Sequence, residues 1–275
     1  MSDEATSQAT VEKPPDRYIF SAHVIGAAAH CHTLDNEKVK STIQVPALAP
    51  SVLPAIGGLS RSEVSNFCLQ IPYPTTRRSL LSVHRIKTRA EGTIIGKQYR
   101  TEIDAEVESI TFADKLHIDS ARLHILSTRE ALEKEPYFSE PTVSTKNRIT
   151  GIHLGAATIQ VDLDDDLLPK FPTSKHIEAD LERACQNKIR RYRGNYFFSL
   201  VKNILVVNQD REVNKIEQVS PNAVHWDGFG TIFFGEAIVK NDDRLVTLVR
   251  VEMDAEVEGS GTVGPGSSNG SAGST

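Results

Sequence analysis

An alternation of apolar and acidic residues is the feature that most constrains this chain. The stretch EIDAEVE at residues 102–108 returns, with one residue changed, as EMDAEVE at residues 252–258. Side chains of a β-strand point alternately to opposite faces, so the apolar residues of each stretch share one face and the carboxylates share the other. Each stretch therefore predicts a half-buried strand with an acidic outer face.

These two acidic faces are the first candidate contact surface. Successive carboxylates on one face lie about 6–7 Å apart, and such a row repels itself unless a neighbouring strand supplies cations. One interpretation is cross-strand pairing with Arg85, Lys87, Arg89, Arg244 or Arg250. The other is a docking face for a basic partner or for divalent cations. Its partner-binding residues would be Glu102, Asp104, Glu106, Glu108, Glu252, Asp254, Glu256 and Glu258.

Most other segments also carry strand signals. Small, β-branched and alternating apolar residues predict strands near 18–32, 79–88, 149–163, 196–208, 231–239 and 245–258. In the run KLHIDSARLHIL, the apolar residues change phase between Ile118 and Ala121. This change predicts a bulge or bend near Asp119 and Ser120.

Helix signals are fewer. Residues 174–192 begin with Ser174 as a candidate cap, carry acidic residues early and cations late, and are followed by Gly194. A capping-box pattern predicts a shorter helix at 60–69, and another short helical turn is expected at 128–135. The chain is therefore predicted to be mainly β. We expect a large antiparallel β-sandwich or barrel with one substantial helix and a few short ones.

The composition of the two ends of the chain indicates where the globular part begins and ends. Residues 1–16 are polar, and residues 261–275 are mostly Gly, Ser, Thr and Asn. Both segments lack the apolar groups that offset chain entropy, so both are predicted to be disordered tails. Residues 17–260 are expected to form one β-rich unit. Echoes such as the repeated acidic stretch leave open two related halves, about 17–145 and 146–260, or convergence on one β pattern.

Charge and cysteine usage exclude several classes of function. The formal charge of −5 gives no general attraction to nucleic acid, whose binding needs cations that displace phosphate counterions. Three scattered cysteines without CxxC spacing indicate neither a disulfide framework nor a thiolate zinc site. The acidic, polar start lacks the basic and apolar pattern of a signal peptide, so none is expected, and no apolar run approaches the roughly 20 residues that span a bilayer. We expect a soluble cytoplasmic protein that contacts no membrane.

The chain resembles an uncharacterised family of bacterial β-rich proteins in three stretches. They are VPALAPSVLPAIGGLSRSEV (45–64), AEVESITFADKLHIDSARLHI (105–125) and GTIFFGEAIVKNDDRLVTLVRVEMDAEVEGSG (230–261). The second stretch is also distantly similar to strand repeats of β-rich bacterial cell-surface proteins, although the start of this sequence is not expected to be an export signal like theirs. The resemblance implies a bacterial β-rich protein and no particular activity.

His30-Cys31-His32 is the sharpest candidate for metal binding. On a strand, His30 and His32 point to one side about 6–7 Å apart, which lets two imidazoles share a divalent metal. A third ligand, such as Asp35, Glu37 or another histidine, would have to be brought close by the fold. The alternative is two histidines on a half-exposed strand.

A basic and aromatic run, KIRRYRGNYFF at residues 188–198, is a second candidate contact. Cations interleaved with aromatic rings suit single-stranded nucleic acid, but cations also complement the end of a helix. An anionic partner, such as another copy with an acidic strand, is favoured over nucleic acid. The run DLDDD at 162–166 is no EF-hand, because Leu167 and Thr173 occupy the positions of its glycine and glutamate.

The pattern as a whole predicts a non-enzymatic binding or structural module that acts through its sheet surface, by self-association or by docking a protein partner. One alternative is a metal-dependent enzyme centred on His30 and His32, and another is a β-barrel carrier of a small apolar ligand. A third ligand at the histidines would favour the enzyme. A deep apolar cavity would favour the carrier, and its lining would include Phe20, Val24, Phe233 and Phe234.

Overall fold

Two β-sheets packed face to face form the frame of this computed structural model. The structure describes residues 17–35, 38–71, 78–134, 137–186, 189–207, 216–254 and 258–273. Within these ranges the alternating segments become strands, because one face of each sheet is buried and the other is solvated. The predicted antiparallel, mainly β sandwich is confirmed, and neither sheet closes into a barrel within the described ranges.

The strands and helices of the described residues are numbered in chain order. The strands are β1 (Arg17–Val24), β2 (Ala27–Asp35), β3 (Lys38–Leu48), β4 (Ser51–Val52), β5 (Gly58–Ile71), β6 (Arg78–Ile95), β7 (Gln98–Phe112), β8 (Leu116–Glu130), β9 (Thr142–Thr145), β10 (Arg148–Leu154), β11 (Ala157–Leu163), β12 (Arg190–Tyr192), β13 (Asn195–Ser199), β14 (Val201–Val207), β15 (Ile216–Ser220), β16 (Ala223–Trp226), β17 (Gly230–Lys240), β18 (Asp243–Asp254), β19 (Glu258–Val263) and β20 (Gly266–Gly273). The helices are α1 (Leu167–Lys170), α2 (Ser174–Ala179) and α3 (Leu181–Gln186).

Both sheets are antiparallel. The twelve-stranded sheet follows the path β12-β13-β17-β18-β19-β2-β3. Strand β20 joins it through β18 and carries β1 and β4, while β16 and β15 extend from β17. The eight-stranded sheet follows the path β14-β11-β10-β8-β7-β6-β5, with β9 paired to β8. The long strands β5 to β8 form a meander whose outer face is the broadest regular surface of this sheet.

Glycines allow the two sheets to approach closely. A Cβ atom at Gly26 would overlap the side chain of Ile86, and one at Gly266 would overlap Leu123 and Ile103. Large apolar side chains of the eight-stranded sheet therefore reach the backbone of the other sheet. The inner faces of both sheets merge into one buried apolar core.

An aromatic cluster closes one end of this core. Tyr18 of β1 contacts Tyr99 of β7 with ring centroids 4.4 Å apart, and Phe138 lies 5.1 Å from Tyr18. Phe20 packs edge-on against Tyr18 at 4.9 Å. Offset and edge-to-face rings add to the stabilisation that burial of their area provides. The cluster therefore fixes β1 against the neighbouring sheet.

Along a line across the eight-stranded sheet, the alternation of inward-facing and outward-facing side chains reverses. Alternate strands along this line each carry one residue with positive φ, namely Asn66 (53°), Ser109 (50°) and Gly151 (62°). In β8 the buried positions shift between Ile118 and Ala121, so that both residues face the core. The bend predicted near Asp119 and Ser120 is thus confirmed.

The predicted helix over 174–192 is wrong. The chain forms two single turns, α2 and α3, interrupted at Asp180, whose φ of −134° is not helical. Arg190 and Arg191, which were expected to end the helix, instead lie in strand β12, and Lys188 lies outside the described residues. Arg193 and Gly194 both have positive φ and turn β12 into β13, as a two-residue hairpin of type I′ requires.

The two shorter helix predictions are also wrong. Residues 60–69 lie within β5, and Glu63 pairs with Arg85 of β6 at 2.9 Å instead of capping a helix. Residues 128–134, the described part of 128–135, contain the end of β8 and no helix. Pairing with a long neighbouring strand outweighs the local capping preference. None of the helices in the described ranges is long and apolar enough to cross a membrane.

The prediction of a disordered tail over 261–275 is wrong for residues 261–273. They complete β19 and form β20, which pairs with β1 along its length. A Cβ atom at Gly261 would overlap the ring of Phe112, so the small residues there permit close packing against the other sheet. Residues 1–16 lie outside the described residues, and the division into related halves stays a prediction.

Candidate binding face

The first acidic stretch lies in the middle of the eight-stranded sheet. Ile103, Ala105 and Val107 of β7 are buried in the core. The four carboxylates alternate with them and point to the outer face, as predicted. They are Glu102, Asp104, Glu106 and Glu108.

The second acidic stretch does not form the single strand that its sequence predicts. Glu252 and Asp254 end β18, whereas Glu258 begins β19. Asp254 and Glu258 face each other across the antiparallel pair, so the stretch forms the end of a hairpin. Glu256 lies outside the described residues.

The two acidic stretches belong to different sheets and point away from the common core on opposite sides. Val107 of β7 and Val251 of β18 are both buried between the sheets, so the carboxylates that alternate with them face opposite directions. The stretches therefore form two separate surfaces, and they share no site for a divalent cation.

Cross-strand cations lie beside the first acidic stretch, as one of the two interpretations predicted. In the register of β6 and β7, Arg89 faces Asp104, and Lys87 and Arg85 face the next two carboxylates. Arg89 Nη1 lies 3.5 Å from Asp104 and 3.6 Å from Glu102, and the same guanidinium contacts Glu91. Of the other cations named, Arg244 is buried in the core and Arg250 pairs with Glu236 and Glu252.

His124 of β8 joins this network from the other side. Its Nδ1 atom lies 2.8 Å from a carboxylate oxygen of Asp104. Glu102, Asp104 and His124 place their ligand atoms within 4.8 Å of one another, and this is the one such group of three among the described residues. A divalent cation could use these donor atoms, but the Arg89 guanidinium already supplies the positive charge between the two carboxylates.

A broad groove of about 1080 Å³ surrounds this network on the outer face of the eight-stranded sheet. We call it the charged groove. Its lining combines cations, carboxylates, one histidine and small polar groups. Its residues are Arg61, Ser62, Glu63, Lys87, Thr88, Arg89, Glu102, Asp104, Ala105, Glu106, Arg122, His124, Lys146, Asn147, Arg148 and Asp165.

The carboxylates of the charged groove are mostly matched within the molecule, whereas its cations are not. Glu63 pairs with Arg85, and Asp165 accepts a hydrogen bond from the backbone N–H of Asn147 at 2.8 Å. Glu102 and Asp104 share Arg89 as described above. Five lining cations form no ion pair with any described residue: Arg61, Lys87, Arg122, Lys146 and Arg148. Lys87 and Arg122 lie opposite Glu106 in the strand register, so the excess positive charge of the groove lies mainly at Arg61, Lys146 and Arg148.

His30 and His32 lie on the outer face of the other sheet. Their ring centroids are 5.7 Å apart, close to the predicted spacing. His30 Nδ1 lies 3.0 Å from the hydroxyl of Ser260, and His32 Nδ1 lies 3.0 Å from that of Thr42. Among the described residues no third histidine, cysteine or carboxylate forms a ligand group with them. Glu37 and the side chain of Asp35 lie outside the described residues.

The residues expected to line an apolar cavity are packed in the core or lie on a surface. Phe20, Val24 and Phe234 are buried within the single apolar core. Phe233 lies on an outer face, where the Arg250 guanidinium stacks 3.8 Å from its ring centroid. A second cleft of about 780 Å³ does have apolar residues such as Phe197, but it is open and its rim is charged. The described residues thus lack the barrel that the carrier hypothesis requires.

The basic and aromatic run forms the β12–β13 hairpin. Arg193 stacks on Tyr192 at 5.1 Å from the ring centroid, and Arg191 stacks on Tyr196 at 5.7 Å. These rings are therefore covered by cations of the same hairpin, an arrangement that differs from a row of open rings ready to stack on bases.

Comparison with known proteins identifies a family. A family model described as a domain of unknown function (DUF8256) matches residues 27–189, which is more than half of the chain. The chain belongs to this family. No curated protein and no solved structure matches it. Membership of an uncharacterised family, as the resemblance implied, is thus confirmed. The DUF8256 match includes every residue that lines the charged groove, whereas Asp254 and Glu258 lie beyond it.

Sequence periodicity predicted only part of the lining of the charged groove. It identified the carboxylates of β7 and the cations of β6, but not Arg122 or Arg148. Both alternate with buried apolar residues, and this signal shows that they point outward. Their position opposite each other depends on the register between β8 and β10, which the local pattern does not contain.

Proposed function

We propose that this DUF8256 protein is a non-enzymatic module that docks an acidic protein segment in the charged groove. One observation carries the proposal: five cations line the groove without an internal ion-pair partner, while most of its carboxylates are already matched. Exposed cations of this kind attract a negatively charged partner and set its orientation.

The mixed charge of the groove favours a protein segment over nucleic acid. Glu106 and the Arg89-bound carboxylates lie among the cations, so a uniformly charged phosphate backbone would meet repulsion along its path. No Phe, Tyr or Trp belongs to the groove lining, and stacking on bases needs such rings. A peptide can place acidic side chains at the cations and neutral ones at the carboxylates.

Binding of labelled peptides tests this proposal. A fluorescent peptide of about eight residues, alternating Glu and Ser, matches an average strand in length. We expect it to bind at about 50 mM salt and to dissociate at about 500 mM, because screening shortens the range of exposed charges. A peptide with Lys in place of Glu should not bind. Equal binding of the two peptides would overturn the proposal.

Paired variants locate the binding site. Arg122→Gln with Arg148→Gln should weaken the acidic peptide by about tenfold or more, which corresponds to about 1.4 kcal/mol. Lys97→Gln is the matched control, because Lys97 is an exposed cation in the β6–β7 turn, outside the groove lining. The control should bind as the unmodified chain does. An unchanged affinity in the double variant would place the contact elsewhere.

A further inference from the structure

Two like-charged pairs face each other across neighbouring strands. Arg122 of β8 lies directly opposite Arg148 of β10, and Asp254 of β18 lies directly opposite Glu258 of β19. All four side chains are exposed, and none forms an ion pair with a described residue. Like charges directly opposite in a sheet are destabilising. On its other side Arg122 faces Glu106, and Glu258 faces His32. The repulsion within each pair is therefore least balanced at Arg148 and Asp254.

The two pairs cannot meet within one molecule. Arg122 and Arg148 lie on the outer face of the eight-stranded sheet, in the charged groove. Asp254 and Glu258 lie on the other sheet, at the end of the hairpin formed by β18 and β19. Since the outer faces of the two sheets point in opposite directions, only two copies of the chain can bring these charges together.

We propose that the acidic segment received by the charged groove is formed by the paired strand ends of a second copy, Asp254 of β18 and Glu258 of β19. This inference rests on the proposed function and names its partner. Asp254 and Glu258 of one copy would lie against Arg122 and Arg148 of the next. The nearby Glu252 is already paired with Arg250 and contributes less. Contact between opposite charges removes the repulsion within both pairs at once.

The geometry makes the contact head-to-tail. The two contacting surfaces are different, so each copy keeps one free groove and one free hairpin after pairing. Such heterologous contacts generate a ring if the rotation closes and an open filament if it does not. A two-fold symmetric dimer, in which each copy offers the same surface, does not satisfy this arrangement.

Sedimentation of complementary variants tests the contact. One variant, Asp254→Asn with Glu258→Gln, keeps the groove but loses the acidic pair. The other, Arg122→Gln with Arg148→Gln, keeps the acidic pair but loses the cations. At about 100 µM protein and about 50 mM salt, we expect the unmodified chain to assemble and each variant to associate at least about tenfold more weakly. A mixture of the two variants should form a dimer that does not grow further, because only one intact contact remains.

Controls separate loss of charge from loss of fold. Arg122→Lys with Arg148→Lys preserves the charges and should assemble as the unmodified chain does, and the melting temperatures of all variants are compared. Assembly of each variant alone to the extent of the unmodified chain, or failure of the mixture to form a dimer, would show a different interface and overturn the inference. If the unmodified chain stays monomeric yet its groove binds the acidic peptide, the second copy is not the partner and the proposed function stands. If neither occurs, both proposals fail.

Discussion

Arg129 and Asp242 join the two sheets through a short ion pair. Arg129 lies near the end of β8 in the eight-stranded sheet and donates from Nη2 to a carboxylate oxygen of Asp242 at 2.6 Å. Asp242 lies in the turn between β17 and β18 of the twelve-stranded sheet. The Arg129 side chain is 8% exposed and also donates to the carbonyl of Ser139. The pair therefore combines a desolvated guanidinium with a partly solvated carboxylate.

Removal of this carboxylate should destabilise the fold. Asp242→Asn leaves the buried Arg129 guanidinium without a counter-charge, and we expect the free energy of unfolding to fall by about 1–2 kcal/mol, less than for a fully buried pair. Glu133→Gln is the control, since its pair with Lys97 is exposed on both sides and should contribute under about 0.5 kcal/mol. Urea unfolding measures both. Equal effects of the two variants would contradict a special role for the cross-sheet pair.

Arg244 gives the protein an unusual response to high pH. Its guanidinium is fully buried and donates to the carbonyls of Pro172 and Ser268 and to the hydroxyl of Ser127. Burial and the nearby Arg129 cation lower the pKa of Arg244 to about 10. Because the unfolded chain binds this proton more tightly, the free-energy cost of the buried charge is present below pH 10 and is relieved as the pH rises above 10 toward the ordinary pKa of arginine.

Comparison with Arg244→Met removes the contribution of titrating groups that do not interact with Arg244. We expect the stability of the unmodified chain, relative to Arg244→Met, to rise by about 1 kcal/mol between about pH 9 and about pH 11. Urea unfolding of both proteins at the two pH values provides the measurement. A constant or falling difference would show that Arg244 keeps its ordinary pKa.

Gly151 is required by the bend in the eight-stranded sheet. Its φ is +62°, and a Cβ atom there would overlap the side chain of Asp119 in the neighbouring strand. Gly151→Ala should therefore lower the free energy of unfolding by about 2–4 kcal/mol, from backbone strain and overlap together. Gly96→Ala is the matched control, because Gly96 has φ of +60° but open space around it. The control should lose about 1–2 kcal/mol, and an equal loss would exclude the overlap with Asp119.

The cysteines should differ in reactivity. Cys31 is buried in the core, and burial raises the pKa of its thiol, so little reactive thiolate forms near neutral pH. Cys68 is exposed on β5. In a Cys185→Ser background, Ellman's reagent should modify one thiol of the folded protein quickly and the second only after denaturation. Rapid modification of two thiols in the folded protein would show that the core around Cys31 opens readily.

The repeated acidic stretch shows which structural features a local sequence pattern can predict and which it cannot. Period-two alternation correctly predicted the mainly β class and the outward carboxylates of β7. The same pattern at 252–258 instead ends β18 and starts β19, because Asp254 pairs with Glu258 across a hairpin. Small residues that follow, such as Gly259 and Gly261, allow β19 to pass close to β2 and to Phe112. That close approach depends on residues distant in the chain, which the seven residues of the stretch do not encode.

The failed helix predictions have the same origin. Ser60 and Glu63 fit a capping box, but β6 offers a strand partner along the whole of β5, and Glu63 finds Arg85 there. The charged groove was predictable in the same partial way. Arg85, Lys87 and Arg89 were correctly placed beside the acidic strand because β6 directly precedes it. Arg122 and Arg148 meet through a register between β8 and β10 that local periodicity cannot supply.

The pairing of β1 with β20 also determines when the fold can be completed in the cell. Val24 pairs with Gly266, and β1 reaches the rest of its sheet through β20. At the usual pace of translation the ribosome needs roughly 10–50 s to make the intervening residues. During that interval β1 lacks its main partner and exposes an unpaired edge, which is a template for aggregation. Within the meander from β5 to β8, each strand pairs with the next strand in the chain, so the meander can form first. Until β20 emerges, the folded part of a newly made chain therefore depends on this meander.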